Sequence, residues 1–222
     1  FERGNLSLNF KNATIDQEKV QVFAEHRKSG EDSVKVWMER EDGLQVAIGS
    51  AAIGDHSKSE LRQKDYRPCD PESLRILNRV KPGMSLGSYD IHTRTDKQYQ
   101  RYDAGLISDP LPWYRKGSPW GGSVAAPCTV MEYLWGYSMN GLGPLVGDSV
   151  GLFGAIEIGF EKGPFMMNRD YHLESRVVCV GQSPQTEYVW YETDAFDYLG
   201  DRVARLLIQS RAMKASSPAY QD

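Results

Sequence analysis

The sequence predicts an α+β protein: a curved antiparallel sheet wrapped around one long helix, with a second, partial copy of the same unit. Three observations predict it. Segments that alternate apolar and polar residues cluster at both ends of the chain, separated by turn signals. One central segment is apolar nearly all round, as suits a helix covered by other structure. The strand-like segments at the two ends also match one another in order and in rare residues.

The first strands are read at 6–10 (LSLNF), 20–23 (within EKVQVFAEH), 34–38 (within SVKVWMER) and 44–53 (LQVAIGSAAI). Ser29-Gly30 and Asp42-Gly43 supply turns, so this run reads as antiparallel strands with one wet face. Residues 54–80 are polar and charged without a strand period, and a connector with a short helix over 71–80 is expected. Lys81-Pro82-Gly83 opens a new unit. It begins with a strand over 85–95 (SLGSYDIHTRT). A helix over 95–107 follows, opened by a capping signal, with Tyr99, Tyr102 and Leu106 near helical spacing.

Residues 107–127 (ISDPLPWYRKGSPWGGSVAAP) form a rigid aromatic loop with four prolines and a Gly-Gly pair. The apolar helix comes next, over 126–139 (APCTVMEYLWGYSM), and then a Gly-rich loop, NGLGPLVGDSVG. Four strand-like segments finish the chain, at 155–160, 171–180, 186–192 and 202–213.

The last four segments resemble the first four. VWME at 36–39 matches VWYE at 189–192, GLQVA at 43–47 matches GDRVA at 200–204, and LSLNF matches IEIGF at 156–160. Tryptophan is rare and the order is kept, which favours an internal repeat. The second copy carries a strand, a loop and a helix ahead of its four strands, and the first copy lacks them. Residues 1–56 then read as the strand half of a first unit, 57–80 as a linker and 81–222 as a complete second unit. The missing half is expected upstream of Phe1.

A net charge of -4 and the absence of any basic run argue against a nucleic-acid partner. No apolar stretch reaches membrane-spanning length, so no membrane partner is expected. Three widely spaced cysteines, Cys69, Cys128 and Cys179, read as reduced thiols in a cytoplasmic setting. Four scattered histidines, His26, His56, His92 and His172, show no metal-ligand spacing.

The loop carries Asp109-Pro110-Leu111-Pro112-Trp113-Tyr114, and Gly121-Gly122-Ser123-Val124-Ala125-Ala126-Pro127 enters the helix. This pair of motifs resembles the MaoC-like hydratase/dehydratase family of hot-dog proteins. There a D-x-N-P-x-H loop precedes the central helix, whose start reads G-x-I-A-H-G or, in degenerate relatives, G-G-P-I-A-P-P. The resemblance spans residues 83–213, and the first fifty-odd residues resemble the tail of another such unit. It implies a hot-dog fold of the double type. It also implies a hydro-lyase that adds water to a trans-2-enoyl thioester or removes it from a 3-hydroxyacyl thioester. An acid and an imidazole share that proton transfer, and a backbone N–H at the helix start holds the thioester oxygen.

By that resemblance the family's acid is Asp109, and its histidine falls on Tyr114. A phenol titrates near pH ~10, against ~6.5 for imidazole, so it makes a poor base. The oxyanion-hole glycine falls on Pro127, which has no N–H, leaving Cys128 as the next donor. Leu111 replaces the asparagine. The unit therefore reads as a degenerate partner that mainly shapes an acyl pocket, with Asp109 and Tyr114 as candidate catalytic residues. Trp113, Trp120, Gly121, Gly122, Cys128, Met131 and Trp135 are candidate substrate contacts.

Structural roles stand beside these. Asp before Pro opens turns. Trp113, Tyr114 and Trp120 also suit loop packing, and Met131, Leu134 and Trp135 suit the core. Cys128 at a helix start is either a reactive or an inert thiol. His92 and His172 either approach Asp109 or lie on a strand face. No metal and no redox cofactor are implied, and the acyl group would arrive as a CoA or acyl-carrier-protein thioester. Exposed sheet edges predict a homodimer or a hot-dog heteromer. A non-catalytic subunit working with a catalytic partner, and a hot-dog acyl thioesterase, remain open alternatives.

Overall fold

In a computed structural model of the chain, residues 2–55, 59–109 and 111–221 are described. Phe1, His56, Ser57, Lys58, Pro110 and Asp222 lie outside the described residues. The alternating segments form β1 (Gly4–Phe10), β2 (Val20–Ala24), β3 (Ser33–Arg40) and β4 (Gln45–Ile53). The second set forms β5 (Ser85–His92), β6 (Gly151–Phe160), β7 (Asp170–Gln182), β8 (Thr186–Phe196) and β9 (Arg202–Met213). Among the described residues these strands make one antiparallel sheet in the order β2-β3-β4-β1-β6-β9-β8-β7-β5.

The central helix α2 (Pro127–Leu142) packs against all five strands from β5 to β9. Its Val130, Tyr133, Leu134 and Leu142 join Ile156, Ile158, Leu173, Val189, Tyr191, Leu206 and Ile208 in the main core. A shorter helix, α1 (Thr95–Asp103), precedes it. A sheet with one long helix on its face is the hot-dog arrangement expected from the loop motifs.

Four expectations need correction. The helix expected over 71–80 is one 3-10 turn, Pro71–Ser73. The Glu187 carboxylate takes the backbone N–H groups of Arg75, Ile76 and Leu77, which a helix would have used itself. The 85–95 strand stops at His92, because the backbone N–H of Thr93 turns to the carbonyl of Arg169 and its hydroxyl to that of Met166. The helix expected to reach residue 107 stops at Asp103, two residues before left-handed Gly105 (φ 72°). Asn140, Gly141 and Leu142, read as loop, complete the last turn of α2. A Cβ at Gly141 would sit 1.9 Å from the carbonyl oxygen of Leu86 in β5, so only glycine allows that approach.

The second face of the sheet is also covered over β6 to β9. Leu61 and Tyr66 lie with Ala155, Cys179, Tyr188, Trp190 and Leu207 in a second cluster. Every residue of β8 up to Ala195 is buried.

Strands β1 and β6 pair antiparallel at the middle of the sheet, with Leu6 opposite Ile158 and Leu8 opposite Ile156. Outward from this seam run β4, β3 and β2 on one side and β9, β8 and β7 on the other. The segments matched in sequence thus occupy mirror positions. Behind the seam, buried Glu157 accepts from Ser7 Oγ at 2.6 Å and from Arg62 Nε at 2.7 Å.

Candidate active site

The 107–126 loop is built on Gln98, a fully buried residue of α1. Its Nε2 donates to the carbonyls of Tyr114 (2.7 Å) and Val124 (3.0 Å), and its Oε1 accepts from Ala126 N–H at 2.9 Å. One amide therefore ties the middle of the loop to its end and occupies a donor at the mouth of α2. Pro127, the first residue of α2, has no N–H, and Thr129 and Val130 both donate to the carbonyl of Ala126. Among the described residues, Cys128 N–H is the donor left at the helix start, and the Cys128 side chain is exposed.

Asp109 and Tyr114 come together. The Asp109 carboxylate lies near enough to the Tyr114 phenol for its charge to act on it, and Asp109 Oδ1 accepts the Leu111 N–H at 2.9 Å. The Asp109 carbonyl accepts a short hydrogen bond from Tyr102 Oη. Burial pushes the Tyr114 phenol well above its ordinary range, and the Asp109 charge pushes it further. The phenol is therefore protonated, while Asp109 itself is exposed. Tyr114 sits in a satellite cluster with Ile107, Val124, Ala126 and Met166.

Trp113 and Trp120 stack edge to face at 5.4 Å and 88° on the rim of that cluster. Trp120 Nε1 donates to Glu2 Oε1 at 2.8 Å, which places the loop beside the start of β1. Gly121 turns the loop at φ 86°, and a Cβ on Gly122 would come within 3.2 Å of Met166 Cε. Among the described residues, His92 and His172 bond carboxylates other than Asp109. They face their register partners on β5 and β7, with His92 Nδ1 2.7 Å from Asp170 and His172 Nδ1 2.7 Å from Asp90.

Met131 and Trp135 lie half-buried on the exposed side of α2. Trp135 meets Phe153 edge-on at 5.6 Å, and Phe153 meets Phe10 at 6.3 Å. Here a cavity of about 550 Å³ opens between the second half of α2 and the sheet. Trp135, Met139, Leu142, Phe153, Val189 and Ser210 are among its walls. At its back the Tyr191 hydroxyl bonds Ser210 Oγ at 3.1 Å, and burial pushes that phenol up to about 12.

The cavity and the loop are separate. Trp135 is eight residues into α2, about 12 Å along the axis from the helix start. Neither Asp109, Tyr114, Trp113 nor Trp120 lines the cavity. Met139, Phe153 and Gln98 were missed by sequence reasoning. Met139 continues the Met131–Trp135 spacing along one helix face, a signal that could have found it.

No protein-family model matches the chain. No curated protein matches it. Solved structures do. One described as a MaoC domain dehydratase from Chloroflexus aurantiacus J-10-fl superposes with a TM-score of 0.60 at 9% identity, over 96% of this chain and 75% of its own. A MaoC-like dehydratase gives 0.58 at 13% identity, over 94% and 74%. A structure described as an oleoyl thioesterase from Lactobacillus plantarum gives 0.52 at 11% identity, over 95% and 75%. The chain shares the hot-dog fold with these proteins, and at such identities the likeness is one of fold.

Proposed function

We propose that the protein acts on acyl thioesters as a hydratase or dehydratase, and that the unit from β5 to β9 holds the acyl tail. The observation that carries this reading is the apolar cavity beside α2, walled by Trp135, Met139, Leu142 and Phe153. Apolar burial favours an acyl chain there by roughly 0.8 kcal/mol per methylene.

In hydration, water oxygen bonds to the β-carbon as the C=C π bond opens, and a proton reaches the α-carbon. Dehydration reverses both steps. A base must take the proton of water, and a donor must steady the thioester oxygen. Burial and the nearby Asp109 charge hold the Tyr114 phenol in its protonated form, which makes it a poor choice for that base. Asp109 is the carboxylate of this loop equipped for acid–base work, and Cys128 N–H is the donor equipped for an oxyanion. Both lie at the far end of α2 from the cavity, so this unit serves chiefly as pocket wall.

The thioester is expected on CoA or an acyl-carrier protein, with neither metal nor redox group taking part. Among the described residues no helix is long and apolar enough to cross a membrane. Incubating the native protein with trans-2-enoyl and saturated acyl thioesters, while following hydration and thiol release separately, tests the reading. Hydration of the enoyl series supports it. Thiol release without hydration indicates a thioesterase, and turnover only after a second hot-dog protein is added indicates a non-catalytic subunit.

A further inference from the structure

A second cavity, of about 660 Å³, lies on the face of the sheet turned away from α2. Side chains alternate across a strand, so Val189 and Tyr191 of β8 enter the core beside α2 while Tyr188 and Trp190 point the other way. The 64–67 stretch lines this cavity together with Gln209 and Arg211 of β9. Its walls carry three cations, Lys64, Arg67 and Arg211, against one carboxylate, Asp65. That leaves an excess of two positive charges at one place in a chain whose net charge is -4.

The fold holds these cations in place. Tyr188 Oη donates to the carbonyls of Arg67 (2.8 Å) and Tyr66 (3.2 Å). Asp65 Oδ1 takes the Arg67 N–H at 3.0 Å, and Arg67 sits at a left-handed φ of 49°. Arg211 Nε donates to Oε1 of buried Gln209 at 3.1 Å, leaving its two terminal nitrogens without an acceptor among the described residues. Gly154 of β6 keeps that space open, since a Cβ there would come within 2.1 Å of Gln209 Oε1 and 2.5 Å of Arg211 Nε. Lys64 Nζ sits 5.8 Å from the centre of the Trp190 ring and reaches Asn9 Oδ1 at 3.4 Å. Among the described residues none of the three cations forms an ion pair. Burial and the charges of Lys11, Arg211 and Arg67 press the Lys64 pKa below its ordinary value, with Glu60 opposing them. Trp190 is only 1% exposed and forms part of the cavity wall, and its Nε1–H has no acceptor among the described residues.

Like charges gathered without counter-charges repel one another, and an anion relieves that repulsion. A buried donor without an acceptor adds a demand for oxygen atoms. A phosphate group answers both. A phosphate monoester carries roughly -1.5 to -2 charges at pH 7 and three acceptor oxygens, and guanidinium groups match it in bidentate fashion. A monocarboxylate would neutralise only half of the excess. We infer that this outer-face cavity binds a phosphate dianion on Lys64, Arg67 and Arg211, either as the free ion or as the terminal phosphate of a small ester. The organic part of an ester would meet the Tyr66 and Tyr188 walls. The site stands apart from the acyl-thioester reading, which concerns the α2 face of the sheet.

The test is isothermal titration of the native protein with inorganic phosphate, phenyl phosphate and benzoate, at constant ionic strength and slightly alkaline pH. Saturable binding of a phosphate probe is expected, with benzoate clearly weaker. Arg211→Gln and Lys64→Gln each remove a charge-assisted contact and should weaken phosphate binding about tenfold, whereas Lys97→Gln on α1 should leave it unchanged. Inorganic phosphate binding as tightly as phenyl phosphate identifies the free ion as the ligand, and tighter binding of phenyl phosphate identifies an ester. Thermal melts without ligand establish that each variant is folded, and the benzoate comparison needs no variant. No saturation with either phosphate probe, benzoate binding as tightly as phosphate, or an unchanged affinity in either Arg211→Gln or Lys64→Gln overturns the inference.

Discussion

At the scale of single residues, the pair Asp109–Tyr114 sets the ionisation behaviour of the loop. The phenol gains nothing from ionising: burial and the adjacent carboxylate both oppose it. Asp109→Asn should bring the Tyr114 ionisation back toward the ordinary tyrosine range, because the opposing charge is gone while the burial remains. Tyrosinate absorbance titrations of the native protein, Asp109→Asn and Tyr114→Phe measure this, and an unchanged titration in Asp109→Asn would show that the charge does not act.

The nearness of these two residues was legible from the motif order. Gln98 was not. Its importance lies in bonds to residues 16 and 28 positions away, and nothing in its local pattern distinguishes it from a solvated helix residue. Gln98→Leu strands two carbonyls and one N–H, each costing ~1–3 kcal/mol when buried and unpaired. A loss of roughly 3 kcal/mol in denaturant unfolding is expected, and a loss under ~1 kcal/mol would mean the loop holds itself.

At the scale of elements, the strands were legible because their period is two and their turns are marked by Gly, and α2 because it is apolar all round. The helix expected over 71–80 does not form because tertiary bonds, not propensity, shape that stretch. Leu74, Ile76, Leu77 and Val80 are buried at helix-like spacings of three and four residues, yet the backbone there is not helical. Their backbone is held by Glu187. Burial opposes ionisation of that carboxyl, but the Tyr220 hydroxyl and the N–H groups of Arg75, Leu77 and Ile76 outweigh it and lower its pKa.

A lowered folded value means stability that is complete above the unfolded pKa and lost as pH falls through the folded one. Glu187→Gln should therefore destabilise the protein at neutral pH and flatten its acid dependence, with faster amide exchange at Ile76 and Leu77. Exchange at those amides no faster than in the native protein would contradict the clamp. Gly141→Ala is expected to cost ~1–3 kcal/mol, since the new Cβ must push α2 away from Leu86. A thermal melt tests this, and an unshifted melt would mean that the helix has room to move.

For the whole molecule, the mirrored strand order was foreshadowed by VWME and VWYE, whose tryptophans sit on β3 and β8 at matching places about the seam. What the sequence could not convey is distance. The loop that carries the family's motif and the cavity that suits an acyl chain lie at opposite ends of α2, a separation that only the fold sets.

Burial raises Tyr114, and Tyr171 and Tyr191 to about 12 each. Raised folded values contribute stability that is complete below the ordinary tyrosine pKa and is lost as pH rises above it. Stability should fall above pH ~10, each such tyrosine adding up to ~1.4 kcal/mol per pH unit. Urea unfolding at stepped alkaline pH reads that slope, and a flat profile would contradict it.

The decisive measurement is the chain-length profile of enoyl-thioester hydration by the native protein and by Met139→Trp. If the acyl tail lies in the cavity beside α2, the native protein hydrates short and long chains. The variant then loses about tenfold on long chains, the equivalent of two unburied methylenes at ~0.8 kcal/mol each, and keeps the short ones. Hydration with the same profile in both proteins would place the acyl chain elsewhere, and hydration by neither would contradict the hydratase reading itself.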